Sequence, residues 1–172
     1  ETTPYSEDFL DASPIARIPA LLTEEGVRLA DSSTICEYLN DELGDYRLCP
    51  RSGRARWDIL SVVSIATHGV MEAQVLRRAE MLRKREGEFS ASVVRKMMDR
   101  QDRCYEYLDN LCGDFRAEPD LGQIAVACAC ATSEFRFPED DWRNPAPRLA
   151  KWYDKFAKRS SMQKTMQGET PR

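Results

Sequence analysis

The stretch RIPALLTEEGVRLADSSTICEYL, residues 17–39, decides the reading of this chain. Pro19 has no N–H, so it is tolerated only at the start or edge of a strand, and it stands directly ahead of Ala20-Leu21-Leu22. Glu25-Gly26 supplies hairpin-turn chemistry between two short apolar runs, because glycine reaches positive φ without a steric cost. Asp31, Ser32 and Ser33 then offer side-chain oxygens ahead of Ile35, Tyr38 and Leu39, which recur at helical spacing. The stretch predicts a strand, a turn, a second strand and a helix. The start of such a helix presents unpaired N–H groups and the positive end of a dipole, a place for a carboxylate.

Working outward, Asp8-Phe9-Leu10 reads as a short helical or irregular turn ahead of Ser13-Pro14. Residues 46–53, YRLCPRSG, read as a linker punctuated by Pro50 and Gly53. From Arg54 onward the pattern is helical. A first long helix is predicted over 54–85, with Ile59, Val62, Val63, Ala66, Val70 and Ala73 on its apolar face. A second carries Val94, Met97, Gln101, Cys104, Leu108 and Leu111 three and four apart and stops at Gly113.

Asp120 and Gln123 have capping-box spacing and open the run IAVACACA at 124–131. That run is small and apolar on all sides, which predicts a helix buried in the middle of a bundle with Cys128 and Cys130 both inaccessible. Pro138 and Pro145-Ala146-Pro147 break the chain, and Leu149, Trp152, Tyr153 and Phe156 mark a final amphipathic helix. Residues 160–172 form a polar tail expected to fray. The fold class is α+β, with a small mixed domain over 1–45, a linker over 46–53 and an all-helical domain over 54–172.

At 172 residues with 42% hydrophobic and 31% charged side chains, the composition is that of an ordinary globular protein. No apolar run approaches the roughly 20 residues of a membrane helix. The six cysteines fall at no zinc spacing and read as reduced thiols of a cytoplasmic protein. A net charge of −4 argues against nucleic acid as the main partner. The charge is unevenly spread: −8 over 1–50, +5 over 51–103 and −1 over 104–172. Solvated helix faces account for this split, as does complementarity between an acidic first domain and a basic surface of a neighbouring subunit. A basic stripe for RNA lacks the interleaved aromatics such binders use. His68 is the single histidine, so a histidine-based metal site has too few ligands, and no G-x-S-x-G elbow, P-loop or G-x-G-x-x-G occurs.

The order of these elements, Ile18-Pro19, a hairpin, then Asp31-Ser32 opening a helix ahead of an all-helical remainder, resembles the cytosolic glutathione transferase family of bacterial type. The resemblance implies a thioredoxin-like first domain followed by a helical bundle. The family's opening strand and helix, roughly 30 residues by the size of a βαβ unit, have no counterpart here, and Glu1-Thr2-Thr3 would be the tail of the second strand. The chain is therefore expected to be an incomplete view of its parent. In the family, the residue before the proline pairs through its main chain with the cysteinyl part of glutathione, as an added strand would. That role falls to Ile18, with Pro19 cis. Asp31 and Ser32 would hold the γ-glutamyl end and Arg17 the glycyl carboxylate.

The catalytic Ser, Tyr or Cys of the family lies in the opening segment, so none is assigned in this chain, and Tyr5, Cys36 and His68 are not promoted in its place. A small electrophile would sit against the first long helix, near His68 and Met71. The resemblance implies a cytoplasmic homodimer using glutathione as co-substrate in detoxification, with no metal, nucleic acid or membrane. A member of the same fold that carries ligands or regulates partners without catalysis is the rival reading. A helical adaptor with no glutathione affinity is a third.

Overall fold

A computed structural model describes residues 5–84 and 87–166. The expected tail of a strand at 1–3 lies outside the described residues. The chain divides into two compact units, Glu1–Arg56 and Trp57–Arg172.

The first unit is the small mixed α/β body that the sequence predicts. Helix α1 (Glu7–Ala12) is capped by the Ser6 hydroxyl, which accepts from the Phe9 N–H at 3.2 Å. Strands β1 (Ala20–Leu22) and β2 (Arg28–Ala30) pair antiparallel in the register Ala20↔Ala30, Leu21↔Leu29 and Leu22↔Arg28. Gly26 at φ 81 turns the hairpin, and the Thr23 carbonyl and hydroxyl accept from Gly26 N–H at 3.0 Å and Val27 N–H at 3.1 Å. Helix α2 (Ser32–Glu42) follows without a connecting loop.

The segment after α2 is tied back to it by buried Asn40. Its Oδ1 accepts from Leu48 N–H at 2.9 Å and Cys49 N–H at 3.1 Å, and its Nδ2 donates to the Cys49 carbonyl at 2.8 Å. Arg56 pairs with Glu37 of the same helix.

Among the described residues the second unit is built of helices and their connections, with no strand. Helices α3 (Arg54–Ser64) and α4 (Glu72–Arg83) are joined through a π-helical segment, Ile65–Met71, into one continuous helix. The sequence foresees the long helix but not the change of winding. Helix α5 (Ala91–Leu111) leads through a 3-10 turn (Cys112–Asp114) to α6 (Leu121–Arg136), then α7 (Pro147–Phe156) and α8 (Ser160–Lys164). The last lies at the start of the stretch that the sequence reads as a fraying tail, of which residues 167–172 lie outside the described residues.

The Asp120–Gln123 capping box forms in full, with 2.9 Å in both directions, and Gln123 also donates to the Arg116 carbonyl at 2.8 Å. Around α6 the core gathers Val62, Val70, Tyr105, Leu108, Val126, Leu149, Tyr153 and Phe156. Trp142 stacks on Tyr105 at 5.2 Å between ring centres. On α5, Tyr105 is fully buried whereas Cys104, which the periodicity favours, is only half-buried. On α6, Cys130 is buried as expected, but Cys128 is exposed, so the helix has one open side. A run of small apolar residues carries no mark of which side its neighbours leave uncovered.

The combined helix Arg54–Arg83 is long and apolar enough, by length and composition, to cross a membrane. This corrects the search for an uninterrupted apolar run. Apart from Glu72, its charges gather toward the ends, at Arg54, Arg56 and Asp58 and again from Arg77 to Arg83. Val62, Ala66 and Val70 from its middle are packed in the core of the second unit, and core helices of globular proteins pass the same test.

Candidate glutathione site

The first unit sets four of the five residues singled out in the sequence just beyond the last pair of its hairpin, two on each strand's side. Ser13, fully buried, anchors the loop into β1: its hydroxyl donates to the Arg17 carbonyl at 2.8 Å and lies 3.3 Å from the Arg17 N–H. The Ile18–Pro19 peptide is cis. The hairpin register ends at the pair Ala20↔Ala30, with Pro19 and Asp31 each one residue beyond it in sequence and Ile18 and Ser32 each two. Both dipeptides of the sequence reading thus adjoin the open end of the hairpin, where α2 begins.

Asp31 has an unusual backbone, φ 84 and ψ 134, a conformation a non-glycine residue adopts at a cost of about 1–3 kcal/mol. Its carboxylate caps α2, accepting from the Ser33 N–H at 2.7 Å. No acidic side chain lies within the first turn of α2, so the capping Asp31 carboxylate is the acidic group set at this helix N-terminus. Ser32, the first helical residue, is half-buried, and its hydroxyl makes no hydrogen bond to another described residue. Ile18 is 83% exposed. Arg17, the fifth residue, has an exposed side chain with no ion pair among the described residues.

One residue escaped the sequence reading as more than part of a cap. The Ser33 hydroxyl is buried and has no hydrogen-bond partner. A buried hydroxyl without a partner costs about 1–3 kcal/mol, and this one sits one residue from Ser32 in the first turn of α2. Its signal in the sequence was only the repeated serine.

No thiol in this unit is prepared for nucleophilic work. Burial, and then the Asp31 carboxylate, push the Cys36 thiol up. Burial likewise pushes Cys49 up, against the opposing Arg56 guanidinium. His68 and Met71 belong to the second unit, where they present different faces: His68 is exposed on the π segment while Met71 packs against the core. The His68 carbonyl accepts from Arg100 at 3.4 Å. Among the described residues no group of His, Cys, Asp and Glu could hold a metal ion.

Residues 1–42 match the glutathione S-transferase N-terminal domain model and residues 74–155 the glutathione S-transferase C-terminal domain model. A glutathione transferase family member from Pseudomonas fluorescens Pf-5, solved with bound glutathione, is 31% identical; the match covers 95% of this chain and 80% of that one, at a TM-score of 0.89. A glutathione S-transferase from Methylobacillus flagellatus KT, also with glutathione bound, is 28% identical over 93% of this chain and 80% of that one, at a TM-score of 0.84. An uncharacterized GST-like protein of Escherichia coli K12, YibF, is 26% identical over 94% of this chain and 82% of its own length. With both domain models matched in order and the hairpin–helix corner in place between Ile18 and Ser32, the chain belongs to the glutathione transferase family.

Proposed function

We propose that this protein binds glutathione at the corner between the cis Ile18–Pro19 peptide and the start of α2, and that it uses the glutathione thiolate to conjugate or reduce a small electrophile. The observation that supports the reading is the open end of the hairpin, flanked by the cis Ile18–Pro19 peptide ahead of β1 and by the start of α2 after β2: main chain able to pair with a peptide, and a helix N-terminus able to hold a carboxylate. Ile18 pairs with the cysteinyl part through its main chain. Ser32 donates its hydroxyl and N–H to the γ-glutamyl carboxylate, Asp31 lies toward the γ-glutamyl amino group, and Arg17 meets the glycyl carboxylate. The electrophile takes the exposed side of the first long helix that carries His68. Bound glutathione in the Pseudomonas and Methylobacillus proteins supports the ligand.

In conjugation the thiolate sulfur forms a bond to the electrophilic carbon, and the leaving group departs with the bonding electrons. The thiolate must be available near neutral pH although a free thiol titrates near 8.5. No thiol, histidine or tyrosine of this chain is assigned that task.

Calorimetric titration with glutathione tests the proposal. Saturable binding is expected, and Ser32→Ala should weaken it roughly tenfold, the worth of one hydrogen bond to a charged group. Absence of binding by the wild-type chain would sink the reading and favour a family member that works without glutathione.

A further inference from the structure

At the end of α7 the second unit has a cleft of about 290 Å³ walled by three aromatic rings, Phe115, Trp152 and Phe156. Three cations, Arg116, Lys155 and Arg159, complete its wall, and no Asp or Glu is among the described residues that line it. Purely positive charge there is a departure from a chain whose net charge is −4. Of the acidic residues nearest in sequence, Asp120 caps α6, Asp154 pairs with Arg143, and Asp114 and Glu118 lie outside the wall.

Separate pieces of chain converge on this cleft. The loop after α5 brings Phe115 and Arg116, α7 brings Trp152, Lys155 and Phe156, and Arg159 stands at the N-cap of α8. Gln123 in α6 holds the loop by donating to the Arg116 carbonyl at 2.8 Å, and Phe115 meets the Trp152 ring edge-on at 4.9 Å. Trp152 lies 4.9 Å from the Phe156 ring, over which the Arg159 guanidinium sits at 5.5 Å. A wall tied together in this way needs little ordering when a ligand arrives.

The C-terminus of α7 favours a cation beside it, which accounts for Lys155. It does not account for Arg116, which comes from another element. All three cations are exposed, so a ligand can reach them, and none forms an ion pair with a described residue.

A carboxylate brings one negative charge, whereas a phosphate monoester brings close to two near neutral pH, with three acceptor oxygens. Guanidinium groups match phosphate with paired N–H donors. The aromatic half of the wall calls for a planar ring, since bases pack well on Trp and Phe. A long nucleic acid would need basic surface well beyond one cleft, and the net charge of the chain opposes it. We infer that this cleft binds a nucleoside monophosphate, with its phosphate among Arg116, Lys155 and Arg159 and its base against the Phe115–Trp152–Phe156 wall. The volume stands at the lower end of small-ligand sites. Every wall residue belongs to the second unit, so the inference stands independently of the glutathione proposal.

The test follows the Trp152 indole N–H in proton–nitrogen correlation spectra of the full chain, with Trp152→Phe to assign it among the three tryptophans. Adenosine monophosphate should move that signal saturably. Adenosine and inorganic phosphate, the latter read by competition, each keep one half of the ligand. Each should bind roughly tenfold more weakly or worse, having lost either the charge-assisted hydrogen bonds or the ring contact. Arg116→Gln, at an exposed position and with folding checked by circular dichroism, should weaken adenosine monophosphate by a similar factor. A Trp152 signal unmoved by adenosine monophosphate would overturn the inference. So would adenosine or phosphate binding as tightly as the whole ligand, or undiminished binding by Arg116→Gln. Much tighter binding of a short oligoadenylate strand would overturn it in favour of a nucleic-acid surface.

Discussion

At the scale of single residues, Asp109 does the most with one side chain. It lies in α5 and caps α7 from outside that helix: its Oδ1 accepts from the N–H groups of Arg148 and Leu149 at 2.7 and 2.8 Å, and its Oδ2 from Arg148 Nε at 2.9 Å. Ala146, the residue in the local cap position, has no side chain to do this. Burial alone would push the Asp109 carboxyl up, but the hydrogen bonds from Leu149 and Arg148 outweigh it and hold the carboxyl below its ordinary value. Its contribution to stability is therefore complete above the unfolded-state value of about 3.9 and is lost as pH falls through the lower folded-state value. Asp109→Ala should lower stability near neutral pH by about 2–3 kcal/mol, a lost cap plus unpaired buried N–H groups. Urea midpoints measured from pH 6 down to pH 2 should converge between the two proteins. Parallel curves would show that Asp109 is not the linked group.

Ser33 gives a second test at this scale. Removing an unpartnered buried hydroxyl relieves a cost, so Ser33→Ala should leave the melting temperature unchanged or raised. If that hydroxyl serves glutathione at the start of α2, the same variant should bind glutathione several-fold more weakly, by about 1 kcal/mol. A rise in melting temperature with undiminished affinity would assign Ser33 to the fold alone.

At the scale of elements, the π segment Ile65–Met71 is where local pattern and tertiary packing part. A Cβ added to Gly69 in that segment would lie 2.5 Å from the Cys104 Sγ of α5, far inside contact distance. The two helices approach so closely because Gly69 has no side chain. Gly69→Ala should destabilise the protein by about 1–3 kcal/mol, as overpacking does, although alanine is intrinsically the better helix former. Cys104→Ala on top of it should restore part of the loss. A double-mutant cycle in urea with no coupling between the two changes would reject the contact.

The same distinction governs what the sequence made legible. The hairpin around Gly26, the Asp31 cap and the Asp120–Gln123 capping box are written within a few residues of themselves, and all are present. The close approach of Gly69 to Cys104 and the cap made by Asp109 depend on partners 35 to 40 residues away, for which a single sequence has no local mark.

At the scale of the whole molecule, the two units differ in how much apolar surface they bury. Among the described residues the buried hydrophobic side chains of the first unit are Ile35 and Cys49, whereas the second unit holds the cluster from Val62 to Phe156. Free energies of local opening track buried apolar contact, so the first unit should open at lower urea. The cysteines report this directly. Cys49 and Cys130 are both fully buried, one in each unit, while Cys128 is exposed. Burial pushes the Cys130 thiol strongly up, so in the folded state it is protonated as well as covered, and the thiolate is the reactive form. Labelling with a bulky thiol reagent, mapped by peptide mass, should therefore modify Cys128 in native buffer, Cys49 at intermediate urea and Cys130 only across the main unfolding transition. Loss of protection at Cys49 and Cys130 at one common midpoint would instead mean that the two units unfold as a single cooperative body, with the small hairpin unit stabilised far beyond what its own core supplies.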